Sequence, residues 1–345
     1  PSHRKADRKM TQVAMDVHKN HSTLTALNPS TGEIVVRKFL TDRNDLARKL
    51  ADLPRPLMVA VESSRHSPAI CRWLQAMGAQ VHLVNATELA KHTKGKAAKT
   101  DANDAGTMLR LMRLDELPEC YLASEEVVQL RDLWRGRNAL VEIGTKLRSL
   151  LRSTLARAGL QLNYSDLRGK SARDSMPELI EELGPLSAFM ARVFWALLGE
   201  LEAHLALINS ELKSQVAAHP VASELLALPG IGPVVALGLV AEIGCIERFA
   251  DPKNLYSYAG VVPRVSQSGD SRRTGSLASE CNRHLRRATT TAAQGASRCR
   301  ADSDAKRTYN RVKRRCGSNS AKIAAGRKVL TEVMFIWRDL MPQSA

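Results

Sequence analysis

The chain has 345 residues and carries 51 lysines and arginines against 35 aspartates and glutamates, a formal charge of +16. That length holds two or three domains with proper cores, and the charge points to a polyanionic partner, nucleic acid ahead of an anionic membrane surface. No apolar run is long enough to span a bilayer, and six scattered cysteines without a C-x-x-C spacing argue against a zinc site or disulfide framework and for a reduced, cytoplasmic setting.

Residues 1–9 are polar and basic and lack a signal peptide's apolar core; Met10 reads as an alternative start, with the residues before it native or an appended leader. From there to about residue 120, strands and helices alternate. Thr11–Val17 reads as a strand with Asp16 at its end. Ser22–Leu27 follows the turn at Lys19-Asn20-His21, and Ile34–Phe39 follows the turn at Asn28-Pro29-Ser30-Thr31-Gly32. A helix capped by Thr41 runs to Leu50. Leu57–Val61 is a short apolar run suited to a buried central strand, with Glu62 directly after it. Pro68–Met77 reads helical, Gln80–Val84 as a strand and Thr87–His92 as a helix start. The order βββαβαβα implies a mixed sheet layered with helices.

The stretch Lys99-Thr100-Asp101-Ala102-Asn103-Asp104-Ala105 opens a further helix, whose apolar stripe is Ala105, Met108, Leu109, Leu111 and Met112. Asp101 and Asp104 then share its first turn. Taken alone they read as a cap and a favourable first-turn acid. Taken with Asp16 and Glu62 at strand ends, they read as four carboxylates converging at one edge of an open sheet, where site crevices form. Such a set binds two hard divalent cations, Mg²⁺ or Mn²⁺ rather than Zn²⁺, and suits phosphodiester chemistry.

Residues 121–218 read as helical. Val127, Leu130, Leu133, Leu140, Leu147, Leu150, Leu151 and Leu155 recur at helical spacing, Gly159 breaks the run, and Met176–Leu183 and Ser187–Ala217 resume it. A helical hairpin or coiled coil is expected here, as a spacer or oligomer interface, with a basic first arm that is a solvated face or a nucleic-acid contact.

The last segment, residues 219–345, opens on Leu228-Pro229-Gly230-Ile231-Gly232-Pro233 between two helices. Gly230 and Gly232 permit a sharp turn and close approach to a phosphate at a helix N-terminus, as in a helix-hairpin-helix; a packing turn is the other reading. A polar loop follows, carrying Arg264, Ser266, Ser268, Ser271, Arg272, Arg273 and Ser276. A serine there becomes a nucleophile only when activated, and composition does not rank the four. Asn282–Ala296 reads as a helix with Arg283, Arg286 and Arg287 near its start; these three, with Arg264, Arg272 and Arg273, are expected to contact nucleic acid. Lys306, Arg307, Arg311, Lys313, Arg314 and Arg315 form a dense basic run suited to nucleic-acid contact, before a turn at Gly317 and a closing helix Ala321–Leu340.

The pattern Val13-Ala14-Met15-Asp16-Val17-His18-Lys19, Val59-Ala60-Val61-Glu62-Ser63 and Lys99-Thr100-Asp101-Ala102-Asn103-Asp104-Ala105 resembles the DEDD insertion-sequence transposases, recombinases guided by a bridge or seeker RNA. So does Tyr258-Ala259-Gly260-Val261-Val262-Pro263-Arg264, then Ser268-Gly269, then His284-Leu285-Arg286-Arg287; valine at 261 replaces the usual leucine. The resemblance implies an α/β plus all-α chain: an RNase H-like, RuvC-like domain at 10–120, a coiled-coil spacer and oligomerisation region at 121–218, and a mainly helical transposase domain at 219–345. It implies that Asp16, Glu62, Asp101 and Asp104 hold Mg²⁺, that Ser268 is the nucleophile, and that target DNA, donor DNA and a non-coding guide RNA are the partners. It further implies a homo-oligomer, a dimer of dimers, working at the nucleoid. Two other readings stay open: a metal-only nuclease or junction resolvase without a covalent intermediate, and a non-enzymatic nucleic-acid scaffold.

Overall fold

The computed structural model describes residues 10–93, 101–162, 167, 169–268 and 271–341, with the side chains of 93, 101–104, 265–268 and 271–274 outside that description. Lys99 and Thr100, which open the Asp101–Asp104 motif, therefore lie outside the described residues. The chain divides into two compact units, Pro1–Ala123 and Ser124–Ala345.

The first unit is a five-stranded mixed sheet in the order β3-β2-β1-β4-β5, with β1 at Thr11–Asp16, β2 at His21–Leu27, β3 at Ile34–Leu40, β4 at Leu57–Glu62 and β5 at Gln80–Val84. The first three strands form an antiparallel meander; β1, β4 and β5 are parallel. Alternation along β1 and β4 separates two cores. Val13, Met15, Val59 and Val61 face one side, against α1 (Arg43–Leu50) and α2 (Ser67–Ala76). Ala14, Met58 and Ala60 face the other, against α3 (Ala86–Thr93) and α4 (Asp101–Leu114), whose Ala105, Met108, Leu109 and Met112 are buried there. The near-continuous apolar run of β4 is what a strand covered on both faces requires. The mixed sheet and its helices fit an RNase H-like domain. One local expectation is corrected: Asp42 caps α1, its carboxylate accepting from the Asn44 and Asp45 amides, while Thr41 Oγ1 donates to His18 O at 2.9 Å. A carboxylate at the cap is favoured by the helix dipole and leaves the hydroxyl free for the neighbouring loop.

The second unit is helical. Helices α5 (Glu125–Arg157) and α7 (Pro185–Ala218) run antiparallel and touch at Gly144, where a β-carbon would lie 2.8 Å from Leu201 Cδ2. Their far end packs with α6 (Lys170–Glu181) through Leu151, Leu155, Met176, Ile180 and Leu198. Helix α6 begins earlier than the apolar pattern suggests because its first turn is polar. The near ends of α5 and α7 insert Leu130, Trp134, Leu212 and Val216 into the core formed by α8 (Pro220–Glu224), α9 (Pro233–Ile243), α10 (Pro252–Ala259), α11 (Arg283–Arg298) and α12 (Asp304–Asp339). Gly317, at φ +79°, breaks α12 where the sequence expects a turn. The stretch read as a polar loop is instead an antiparallel hairpin, β6 (Pro263–Ser268) and β7 (Ser271–Leu277), a separate two-stranded sheet. Apart from Pro263, Val265, Gly275 and Leu277 its residues are Ser, Arg, Thr and Gln, so no hydrophobic period of two announces it.

Candidate functional site

The expected acids fall where the strand register can bring them together. Met15 pairs with Val61 across the parallel β1–β4 ladder, so Asp16 and Glu62, each one residue further on, end neighbouring strands at the same edge. Both continue the face that carries Ala14 and Ala60, the face covered by α4. Asp101 and Asp104 occupy the first turn of α4, just before Ala105 and Met108, which are buried on that face; their side chains lie outside the described residues. The Asp16 carboxylate meets His18 Nε2 at 3.0 Å, a contact the sequence reading did not include. The loop after Glu62 is held by hydroxyls: Ser67 Oγ donates to Glu62 O, and the Ser64 amide donates to Ser67 Oγ at 2.9 Å. Among the described side chains no group of three metal-binding residues converges, and the tetrad has only two members there. The donor set is all carboxylate oxygen, the chemistry that suits a hard divalent cation.

In the second unit, Ser268 ends β6 and pairs with Ser271, at the far end of the hairpin from the Pro263–Leu277 pair. Arg272 pairs with Gln267 and Arg273 with Ser266 in the backbone register; the side chains of Ser268, Arg272 and Arg273 lie outside the described residues. The base of the hairpin is tied on both sides. Arg264 Nη2 donates to Ser279 Oγ, and Arg286 of α11 donates to Ala278 O and Ala259 O.

The remaining basic residues divide by what they touch. Arg287 pairs with Glu142 of α5, and Arg283 is exposed at the start of α11. Lys306 Nζ donates to Cys299 O at 2.7 Å and Arg307 pairs with Asp302 and Asp304, which leaves Arg311, Lys313, Arg314 and Arg315 as the exposed run on α12.

The two motif glycines are not equivalent. Gly230 has φ +84°, and a β-carbon there would lie 2.0 Å from Ala296 N and 2.3 Å from Gly295 C, both backbone atoms of α11. It is a packing glycine, one backbone laid on another. Gly232 is exposed at the N-cap of α9, with nothing within 4 Å of a built β-carbon. Gly230→Ala is expected to destabilise the fold by about 3 kcal/mol or more, from left-handed strain plus overpacking. Gly232→Ala should cost under about 1 kcal/mol. Urea denaturation of the two variants checks this; equal effects would reject the packing role.

Sequence reasoning missed one buried network. Glu242, at the end of α9, is fully buried, and its carboxylate accepts from Arg135 Nε and Nη2 at 2.7 Å each and from Asn282 Nδ2 at 2.9 Å. Arg131 stands 3.9 Å away and donates to Ala241 O. Asn282 also donates to Tyr258 Oη at 3.1 Å, and its Oδ1 caps α11 at the Leu285 amide. Burial would push the Glu242 carboxyl up, but the bonds from Arg135 and Asn282 and the charges of Arg135 and Arg131 outweigh it and hold it below the usual carboxylate range. Burial and the Arg135 charge push the neighbouring His284 imidazole down. The signal available in the sequence was a lone acid closing an otherwise apolar helix, with two arginines four residues apart upstream.

Known transposases match two separate stretches of the chain. A model of DEDD transposases of the IS110 type matches residues 13–159, and a model described as the Transposase IS116/IS110/IS902 family matches residues 222–310. A probable family 20 transposase of Pseudomonas aeruginosa PAO1 is 27% identical over 249 residues, 71% of this chain and 72% of that protein. The transposase of insertion sequence IS1328 from Yersinia enterocolitica is 24% identical over 281 residues, 81% of each chain. The transposase of IS1111A from Coxiella burnetii is 26% identical over 204 residues, 58% of this chain and 54% of that one. The first matched span holds all four acids and the second holds the serine hairpin, in the order that the two halves of the sequence present them; the chain belongs to the IS110/IS116/IS902 family of DEDD transposases.

Proposed function

We propose that this DNA transposase is RNA-guided and cuts and rejoins DNA through Asp16, Glu62, Asp101 and Asp104 together with Ser268. The observation that carries the reading is the placement of Asp16 and Glu62, each one residue past the Met15–Val61 pair of neighbouring parallel strands, on the face covered by the helix that Asp101 and Asp104 open. The four carboxylates would hold Mg²⁺, which when bound supplies charge stabilisation to a phosphodiester undergoing displacement. Ser268 Oγ attacks phosphorus, the P–O bond to the departing strand breaks, and that strand leaves with a free hydroxyl. The phosphate stays on Ser268 until the hydroxyl of a second DNA end displaces it. Gly232 and its helix start, Arg264, Arg272, Arg273, Arg283, Arg287, Lys313, Arg314 and Arg315 are the residues we assign to nucleic-acid backbone. We read α5 and α7 as a coiled-coil spacer that supports a homo-oligomer, and the Gly230–Gly232 turn as helix-hairpin-helix-like. Aromatics are 4% of the chain, which suits phosphate contacts with base pairing left to a guide RNA.

Denaturing electrophoresis of the protein with labelled target and donor DNA, cognate RNA and Mg²⁺ tests the mechanism. The parent should give a covalent protein–DNA band that Ser268→Ala and Glu62→Ala both lose. Cleavage that survives Ser268→Ala, with no covalent band from the parent, would leave a metal-only nuclease.

A further inference from the structure

We propose that Arg286 is a positioning residue that sets the direction of the serine hairpin by bridging its two roots, and is not a phosphate contact. The proposal rests on Ser268 as the nucleophile. Arg286 stands on the first turns of α11, in a motif that its charge alone would assign to DNA. Its guanidinium is directed instead at main-chain groups on either side of the hairpin. Nη2 donates to Ala278 O, just after β7, and lies 2.9 Å from Cys281 Sγ; Nε donates to Ala259 O, before β6, at 3.4 Å. The planar fork of an arginine can serve two such acceptors at once, where a lysine offers a point charge.

The surrounding backbone is shaped to admit it. Gly260 is left-handed at φ +64°, and a β-carbon there would lie 2.2 Å from Arg286 Nη2 and 2.6 Å from Cys281 Sγ. The Asn282 amide donates to Tyr258 O at 2.8 Å, and Arg327 of α12 donates to Val261 O at 3.3 Å, so the root of β6 is held to α11 and α12. Among the described residues the hairpin has no third strand, and a two-stranded ribbon is marginal without outside support. Its aim is therefore set at its roots.

The geometry magnifies any error there. From Pro263 to Ser268 the strand rises about 3.3 Å per residue, roughly 17 Å in all, so a tilt of about 3–4° at the root moves the serine by about 1 Å. A misplacement of that size costs on the order of 10²-fold in rate.

The full-length protein, with labelled target and donor DNA, cognate RNA and Mg²⁺, is compared as parent, Arg286→Ala, Arg286→Lys and Ser268→Ala. Two quantities are read: the single-turnover rate of covalent adduct at saturating DNA, and the slope of log Kd against log salt. Both Arg286 variants should lose about 10²-fold in adduct rate while affinity and salt slope stay at the parent's values. A salt slope reduced by about one, with the parent's rate regained at saturation, would make Arg286 a phosphate contact and overturn the proposal. So would a parent-like rate in Arg286→Lys, which carries the test if Arg286→Ala fails to fold. A parent that forms no adduct, with cleavage surviving Ser268→Ala, removes the serine reading and this proposal with it; an adduct in the parent with a parent-like Arg286→Lys removes this proposal alone.

Discussion

Glu62→Ala is expected to lower DNA cleavage by about 10³-fold or more while leaving the metal-free protein as stable as the parent, or slightly more so. The two halves of that expectation have one cause. Asp16 and Glu62 end adjacent parallel strands in the same register and on the same face, so without a cation they repel each other. Removing one relieves the repulsion and creates no cavity, since Glu62 is only part-buried at a strand end. With Mg²⁺ the sign reverses, because an ion bound only by the folded state stabilises it by mass action. The parent should melt at a higher temperature as Mg²⁺ is raised, and Glu62→Ala should not. Losing a carboxylate that serves the metal forfeits several kcal/mol of transition-state charge stabilisation, and each ~1.36 kcal/mol is a factor of ten. Asp16→Asn, nearly isosteric, should behave alike. Thermal melts with and without Mg²⁺, beside a cleavage assay, check both halves. Cleavage that survives both substitutions would reduce these acids to strand-end residues.

What made those acids legible was burial on both sides of the sheet. An unbroken apolar run that ends in a carboxylate, occurring twice in one layer, marks two central strands with an acid at the tip of each, and the strand order follows from alternation and turn residues. The serine hairpin was not legible, because neither of its strands has an apolar face and its place depends on contacts from Arg264 and Arg286 that spacing does not reveal. Charge alone does not separate the roles of arginines in the same region. Arg286 and Arg287 look alike in sequence, yet one serves carbonyls at the hairpin root and the other pairs with Glu142 on α5. The glycine turn left two readings open for a related reason: a left-handed glycine reads the same whether a phosphate or another backbone approaches it, and at Gly230 it is Gly295 and Ala296 that approach. The boundary near residue 218 was also blurred, since Leu130, Trp134, Leu212 and Val216 belong to the C-terminal core as much as to the helical arm.

A large stability effect is expected at Glu242. Its carboxylate is fully buried and carries two bonds from Arg135 and one from Asn282, so truncation leaves the part-buried Arg135 without this acceptor and removes the shortest bond of Asn282 Nδ2. Breaking a buried pair from one side costs about 3–5 kcal/mol, chiefly the desolvation of what remains. With Arg135 38% exposed and able to rehydrate, Glu242→Ala should destabilise the second unit by less than that, about 2–3 kcal/mol. Adding Arg135→Met should restore part of the loss, because an apolar side chain removes the orphaned charge. The pH dependence has a fixed sign. The folded pKa of Glu242 lies below its unfolded value, so the folded state binds fewer protons where the two differ. The contribution is whole above the unfolded pKa of about 4.3 and is lost as pH falls through the lower, folded value. Urea unfolding followed through Trp134, whose Nε1 donates to Val234 O at 2.7 Å beside this network, should show a steeper acid loss in the parent than in Glu242→Gln. Parallel curves would mean that other carboxylates govern the acid transition. The same network caps α11 through Asn282, so weakening it should also slow adduct formation at Ser268, by loosening the helix that carries Arg286.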